Sequence, residues 1–478
     1  AIEGKSSVVI PNFDSHKDRS PLIEAYSKKG YKSLMLFPLY FEETLVGMLE
    51  LASPRPNGLN NLSIINLQDV IPAFAIAAMR ISNDIQNKIK ARIQEEFTAI
   101  HSVVEWKFNR AAGRLLNEDG AVSQVKKEPI TFKDVYPLYS AVDIRSSSRE
   151  RNNAIIKDLM EQLEVSLNIL TKAWDHKKMP VFSQLIYLVN QHRETLRKGL
   201  LTGDETRIIE FLKREVEPVI AHFKEAMPVL KDDILAYEKM IDPQFGMLYK
   251  KRNDFENSIN TLTDSISAII DEQEMSAQEM FPHYFEKYRT DGIEYNIYVG
   301  QSLLENLSFD PVYLKNLRLW ELIVMCQVAR KTATLNPKLP IPLETTQMVL
   351  VHSNPLDIRF REDEKKFDVE GGYNIRYEII KKRIDKALVK GTGDRLTQPG
   401  TIAIIYSQAS ELLEYTKYID YLKSVNYITG ETEELDLEEM DGVYGLRALR
   451  VKVNYKDNII KGLQSMEEIV KEAEQKIS

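Results

Sequence analysis

One cysteine, Cys326, stands among 478 residues, which excludes an intrachain disulfide and any zinc site built from several cysteines. Glycine and proline are scarce, at 20 and 19 residues, so long uninterrupted helices are expected. No apolar run approaches the roughly 20 residues of a membrane span, and no charged-then-apolar leader opens the chain. Basic excess is missing too. Lys and Arg number 63 against 71 Asp and Glu, a net charge of −8, so no overall positive field exists to hold nucleic acid or an anionic membrane. These absences predict a cytoplasmic protein with no nucleic acid and no membrane among its partners. What is present, 43% hydrophobic and 28% charged residues, is the balance of a chain that buries sizeable cores. At roughly 150 residues per domain, its length predicts about three folding units.

The pattern predicts a strand at 7–10, a helix at 21–29 and two strands at 33–41 and 44–52 joined as a hairpin. Ser20 is placed to cap that helix, with Pro21 in its first turn and Gly30 after its end. A long helix is expected from 62 to 116, with Ile71, Phe74, Ala75, Ala78 and Met79 turned toward the preceding sheet. Further on, Ile85, Ile89, Ile93, Phe97, Ile100, Val104 and Phe108 form one apolar stripe that suits a bundle or a dimer seam. Residues 146–279 read as a helical bundle interrupted at 176–180, 201–204, 227–228 and 241–246, its first helix opening on a capping box of Ser147 and Glu150. From 280 onward strands and helices alternate, including a helix at 375–390, and 457–478 reads as a charged helix. The expected fold class is therefore α+β and helix-rich, divided at 1–82, 83–145 (connector helix and linker), 146–279 (helical bundle), 280–456 (α/β or α+β) and 457–478.

One segment carries a resemblance. Pro38-Leu39, then Val46-Gly47-Met48-Leu49-Glu50-Leu51, a turn, and an Ala- and Ile-rich helix around 74–78 resemble the C-terminal half of a GAF domain. The small residue Gly47 and the alanines at 73, 75, 77 and 78 are expected to let that helix approach the sheet. The resemblance covers about residues 7–80 and reads as an incomplete GAF-like domain that begins inside the fold. It implies a small-molecule pocket, with Phe13, His16, Tyr26, Met35 and Phe37 as candidate ligand-binding residues, and a helix that transmits the pocket's state. The signatures of cyclic-nucleotide-binding GAF domains are not matched, and Cys326 lies far from a bilin attachment position. The middle and C-terminal portions are similar to those of large Bacteroidetes GAF-containing proteins, which implies no particular reaction.

Elsewhere, chemistry is sparse. The seven histidines include no pair at i, i+3 or i, i+4, so no helix-borne metal site is expected, and no cofactor is indicated. Gly-x-Ser-x-Gly and the phosphate-binding Gly-x-x-x-x-Gly-Lys-Ser/Thr are absent, and Cys326 sits on an apolar helical face. The segment VKGTGDRLTQPG offers Lys390, Arg395 and Thr397 as candidate anion contacts, or else a glycine cap on a preceding helix. Asp143, Arg145, Ser146, Ser147, Ser148, Arg149 and Arg151 suit an anion site at a helix start, or simple capping and surface ion pairing. The aromatic group at 281–298 reads as core around a turn at 290–292. The function expected from all of this is a signalling or regulatory protein, homodimeric through its connector helices, with a GAF-like small-molecule sensor coupled to a C-terminal output domain. An enzyme acting on a phosphorylated or nucleotide substrate and a non-catalytic dimeric scaffold are the alternatives.

Overall fold

The computed structural model describes residues 7–16, 20–41, 44–60, 63–64, 67, 70–81, 101–118, 129–361, 363–364, 366–371, 375–440 and 443–455. The fold is α+β and helix-rich. Two compact units are present: Ala1–Ile130 with Phe360–Lys366, and Thr131–Arg359 with Phe367–Ser478. Among the described residues no helix is long and apolar enough to cross a membrane.

In the first unit, β1 (Val8–Ile10), β2 (Ser33–Phe41) and β3 (Thr44–Ser53) form an antiparallel sheet in that order, with α1 (Pro21–Lys28) between β1 and β2 in sequence. The Ser20 hydroxyl accepts the Ile23 N–H at 3.4 Å, Pro21 opens the helix, and Gly30 follows it at φ +88°, so the start and stop signals act as their chemistry requires. Ile10, Phe13, Ile23 and Leu34 pack as one cluster with Tyr26 and Leu36 at its margin. Helical residues 71–81 bury Ala75, whereas Phe74 and Ile76 are each 43% exposed. The expectation that Phe74 faces the sheet is thereby corrected. Gly47 also gives no close approach: among the described residues a Cβ there would meet only Leu39, at an ordinary 3.8 Å. In α2 (Ser102–Glu118), Val104 and Phe108 are buried, and the Phe108 ring meets Phe360 edge-on at 5.0 Å. The stripe residues 85, 89, 93, 97 and 100 lie outside the described residues, as does the tail at 457–478.

The second unit opens with β4 (Thr131–Ile144), a strand where a connector and linker were expected. It continues through α3 (Ser147–His176), α4 (Pro180–Arg197), α5 (Asp204–Phe211), a π-helical turn at Leu212–Val216, α6 (Glu217–Ala226), α7 (Lys231–Met240) and α8 (Lys250–Met280). Then come β5 (Tyr284–Arg289), β6 (Ile293–Val299), α9 (Pro311–Leu335), β7 (Thr345–Leu350), β8 (Leu356–Arg361), β9 (Lys366–Glu370) and α10 (Ile375–Arg383). β10 (Thr401–Tyr406), α11 (Ala409–Ser424), β11 (Ile428–Asp436) and β12 (Arg447–Val453) complete it. The strands form one sheet in the order β11-β12-β10-β7-β4-β6-β5, with β8 paired to the first part of β4 and β9 beside β8. β10 runs parallel to β7; the β12, β4 and β6 pairings are antiparallel.

Because β4 lies at the centre of this sheet, the bundle is an insertion between β4 and β5, and the boundaries expected at 145 and 279 cut through a single unit. The bundle has its own core, in which Leu159, Leu163 and Leu170 of α3 meet Phe182, Leu185 and Val189 of α4. One face of the sheet packs on α9, whose Leu317, Trp320, Leu322, Ile323, Met325, Cys326 and Val328 are buried on all sides. A helix apolar around its whole circumference belongs at the centre of a domain. α8 spans two clusters: its Phe255 and Leu262 pack with Leu339 and Leu343, and its Ile266, Ile269, Ile270 and Ala277 enter the sheet core.

The β5–β6 turn sets a strict steric condition. A Cβ on Gly292 would lie 1.9 Å from the Val142 carbonyl oxygen of β4, and backbone cannot yield as a side chain does. Gly292→Ala is expected to destabilise the second unit by about 1 to 3 kcal/mol, the usual cost of forced overpacking. Urea denaturation of variant and parent would read it; an unchanged midpoint would mean that the hairpin shifts without cost.

Candidate functional site

A groove of about 470 Å³ runs along the first turns of α3 and α8. Its walls come from four places: Ser147, Ser148, Arg151, Asn152 and Ile155 of α3; Glu205 of α5; Tyr249 with the α8 face bearing Arg252, Phe255, Glu256, Ile259 and Asn260; and Asp291 of the β5–β6 turn. The two helices run antiparallel here. Ser147 donates to Asp291 Oδ2 at 2.8 Å, whereas Asp158, further along α3, meets the start of α8. From Ser147 to Ile155 the α3 wall extends about 12 Å at the usual helical rise. That volume lies in the range of small-molecule sites.

The two helix starts are completed differently. At α3 the N-cap Ser146 adopts a left-handed φ of 58° and makes no side-chain cap bond, so the expected Ser147–Glu150 capping box is absent. Asp291 accepts the Ser147 hydroxyl instead, which brings a carboxylate to the positive end of the helix. At α8 the cap comes from another element. Asp158 of α3 is fully buried and accepts the Lys251 N–H through Oδ1 at 2.8 Å and the Arg252 N–H through Oδ2 at 3.0 Å. Burial is the main force on its acidity and pushes the Asp158 pKa up, opposed by those two N–H groups and by the Arg252 charge.

Arg252 is the central residue of the groove. Its side chain is only 7% exposed, and its guanidinium lies 3.0 Å from Glu205 through Nη1 and 3.7 Å from Asp158 through Nε. Nη1 also contacts Met247 Sδ at 2.9 Å. Yet Nε and Nη2 are buried without a hydrogen-bond partner. Such donors carry a desolvation cost. Beside it, the Tyr249 hydroxyl donates to Glu256 Oε1 at 2.5 Å, and the Tyr249 ring stacks on Phe245 at 4.1 Å. Burial, followed by the Glu256 hydrogen bond and charge, pushes the Tyr249 phenol up to about 12, so it remains protonated at neutral pH. The three carboxylates of the groove do not gather into a coordination set: among the described residues, no group of three or more His, Cys, Asp or Glu side chains could hold a metal ion.

The residues singled out in the sequence are distributed as follows. Phe13 is buried and Tyr26 half-buried on the α1 side of the first sheet, with the Tyr26 hydroxyl donating to Glu50. Met35 and Phe37 are buried too, but they alternate with Leu34 and Leu36 of that cluster and point to the opposite face. His16 is exposed. The five do not line one pocket, and the period of two along β2 is the reason.

The candidate phosphate loop is likewise corrected. Residues 387–396 form a tight hairpin in which Val389 donates to the Asp394 carbonyl, Gly393 to the Val389 carbonyl and Leu396 to the Ala387 carbonyl. Three of its N–H groups are thus spent within the turn. Lys390 is exposed and donates its N–H to the Asp436 carbonyl, Arg395 is half-buried, and Thr397 is buried with its carbonyl accepting from Arg145 at 3.2 Å. The helical cap that stood as the alternative is absent as well, since α10 ends at Arg383.

Of the cluster at 143–151, Ser147, Ser148 and Arg151 reach the groove, while Arg145 turns to 397–398 and Arg149 pairs with Glu150. Glu205, Tyr249, Arg252 and Glu256 went unnoticed in the sequence. Its helix breaks at 201–204 and 241–246 mark where those residues begin their helices, but only tertiary packing shows that these starts meet. No protein-family model matches the chain, and no curated protein matches it.

Proposed function

We propose that this is a regulatory protein that binds a small molecule in the α3–α8 groove. The observation that carries this reading is a cavity of small-molecule size at which three helices and the β5–β6 turn bring together the charged side chains Arg151, Arg252, Glu205, Glu256 and Asp291. Binding rather than turnover fits the lining: the Ser147–Asp291 pair completes the start of α3, and no histidine is among the lining residues. A ligand there would touch the bundle through Glu205 and the sheet hairpin through Asp291, favouring whichever arrangement of the two it binds more tightly.

In the same proposal, residues 7–80 are a GAF-like domain. The antiparallel β1–β2–β3 sheet with α1 on one side supports that part. The sensing role moves to the groove, because Phe13 and Tyr26 are separated by the sheet from Met35 and Phe37. Dimerisation through the connector remains part of the proposal. The deciding measurement is mass spectrometry of small molecules released on denaturing the gently purified protein, joined to a thermal-shift screen of amino acids, sugars and nucleotides. A stoichiometric compound, or a saturable rise in melting temperature, is expected. Neither appearing would overturn ligand binding and favour the non-catalytic scaffold.

A further inference from the structure

Resting on the ligand-binding reading above, we infer that the groove takes a neutral polyhydroxylated ligand, a mono- or disaccharide, held by hydrogen bonds from its hydroxyl groups to both walls. The lining is mostly polar, and its acceptors are fixed in place before any ligand arrives. Each of its three carboxylates is tied through one oxygen to a donor of the protein. Glu205 Oε1 lies 3.0 Å from Arg252 Nη1, Glu256 Oε1 accepts the Tyr249 hydroxyl at 2.5 Å, and Asp291 Oδ2 accepts the Ser147 hydroxyl at 2.8 Å. The second oxygen of each carboxylate remains an acceptor. Groups ordered in advance spare a ligand part of the entropy of immobilising them.

Donors stand beside these acceptors. Asn260 of α8 accepts from Arg289 through its amide oxygen at 3.0 Å and keeps its NH₂. On the α3 wall Arg151 and Asn152 are exposed, and among the described residues neither side chain enters an ion pair or a hydrogen bond. A hydroxyl both donates and accepts, so a run of adjacent hydroxyls bridges carboxylate oxygens on one side to amide and guanidinium N–H groups on the other. Charge points the same way. An anion would enter beside three carboxylates, and a cation would meet Arg151 on the α3 wall and Arg252 on the α8 wall. A neutral ligand brings no charge to desolvate.

Saturation-transfer NMR and thermal-shift titration of the full chain test the assignment with glucose, galactose, mannose, ribose, maltose and sucrose. Glucosamine, glucose 6-phosphate, uridine and adenosine are the controls. At least one neutral sugar is expected to bind saturably, and each control at least tenfold more weakly than the best of them. Asn152→Ala, Asn260→Ala and Glu256→Gln change exposed positions of α3 and α8, so each should weaken binding several-fold with the melting temperature of the ligand-free chain unchanged. No saturable binding by any neutral sugar, tighter binding of a control, or binding that none of the three substitutions weakens would overturn the assignment. A released compound of another class would defeat the sugar assignment and leave ligand binding standing, whereas no compound and no thermal shift would defeat both.

Discussion

Asp158→Ala is expected to cost the second unit about 3 to 5 kcal/mol, the range seen when one partner of a buried ion pair is removed. Two N–H groups lose their acceptor and one guanidinium loses an ion-pair neighbour at once. The Lys251 and Arg252 N–H groups, bound at 2.8 and 3.0 Å, become orphan donors at an otherwise uncapped helix start. The Arg252 guanidinium is left with Glu205 as its sole carboxylate neighbour among the described ion pairs. Asp158 therefore joins the bundle to α8, and α8 carries its apolar face on into the sheet core. Asp158→Asn should recover part of the loss, since an amide oxygen can accept one N–H while its NH₂ confronts the other donor. Urea titrations followed by helical circular dichroism would give the order parent, Asn, Ala. A loss below about 1 kcal/mol for Ala would show that water caps α8 as well as the carboxylate does.

The contrast between α8 and the elements read correctly in the sequence shows where local signals stop. Ser20, Pro21 and Gly30 fix α1 through groups adjacent in the chain, and the hairpin of β2 and β3 follows from two apolar runs joined by a short connection. The breaks at 176–180, 201–204, 227–228 and 241–246 all separate helices, because proline, glycine and exposed polar residues interrupt helical backbone wherever the chain then goes. β4 was missed for a different reason. The breakers Gly120 and Pro129 place a linker just before it, its own 14 residues include Pro137 and a bulge with Asp134 at φ 54°, and only pairing with β6, β7 and β8 makes them an inner strand. β11 was missed because it is an edge: Glu431, Glu433 and Glu434, none of them buried, give it the composition of an acidic loop.

The groove follows the same division. Ser147, Ser148 and Arg151 could be marked from the sequence as belonging to a helix start. Arg252 could not, since its importance lies in Asp158 and Glu205, which reach it from two other helices. A cap supplied across 93 residues of chain leaves no local pattern.

Glu321→Gln is expected to raise stability at pH 8 by several kcal/mol while leaving it nearly unchanged at pH 5. Glu321 lies on the central helix α9, 1% exposed, where its Oε1 accepts the Ser140 hydroxyl of β4 at 2.8 Å. Burial is the dominant influence and pushes the carboxyl from its ordinary 4.5 up to about 8; the Ser140 bond and the Arg318 charge oppose it. Arg318 gives limited help because its guanidinium is engaged at 2.7 Å by Glu414. The folded chain thus holds the Glu321 proton at pH values where the unfolded chain has released it. Stability contributed by that proton is fully present below pH 4.5 and is lost as pH rises toward 8. A shift of that size corresponds to roughly 5 kcal/mol across the window. Glutamine keeps the amide oxygen that Ser140 needs and has no proton to lose, so its unfolding free energy should lack this slope. Urea titrations of parent and variant at pH 5, 6.5 and 8 would display the two curves, which should meet at the acid end and separate with rising pH. Parallel curves would mean that Glu321 ionises in the folded state near its ordinary value, which requires water or a cation within reach of α9's interior face.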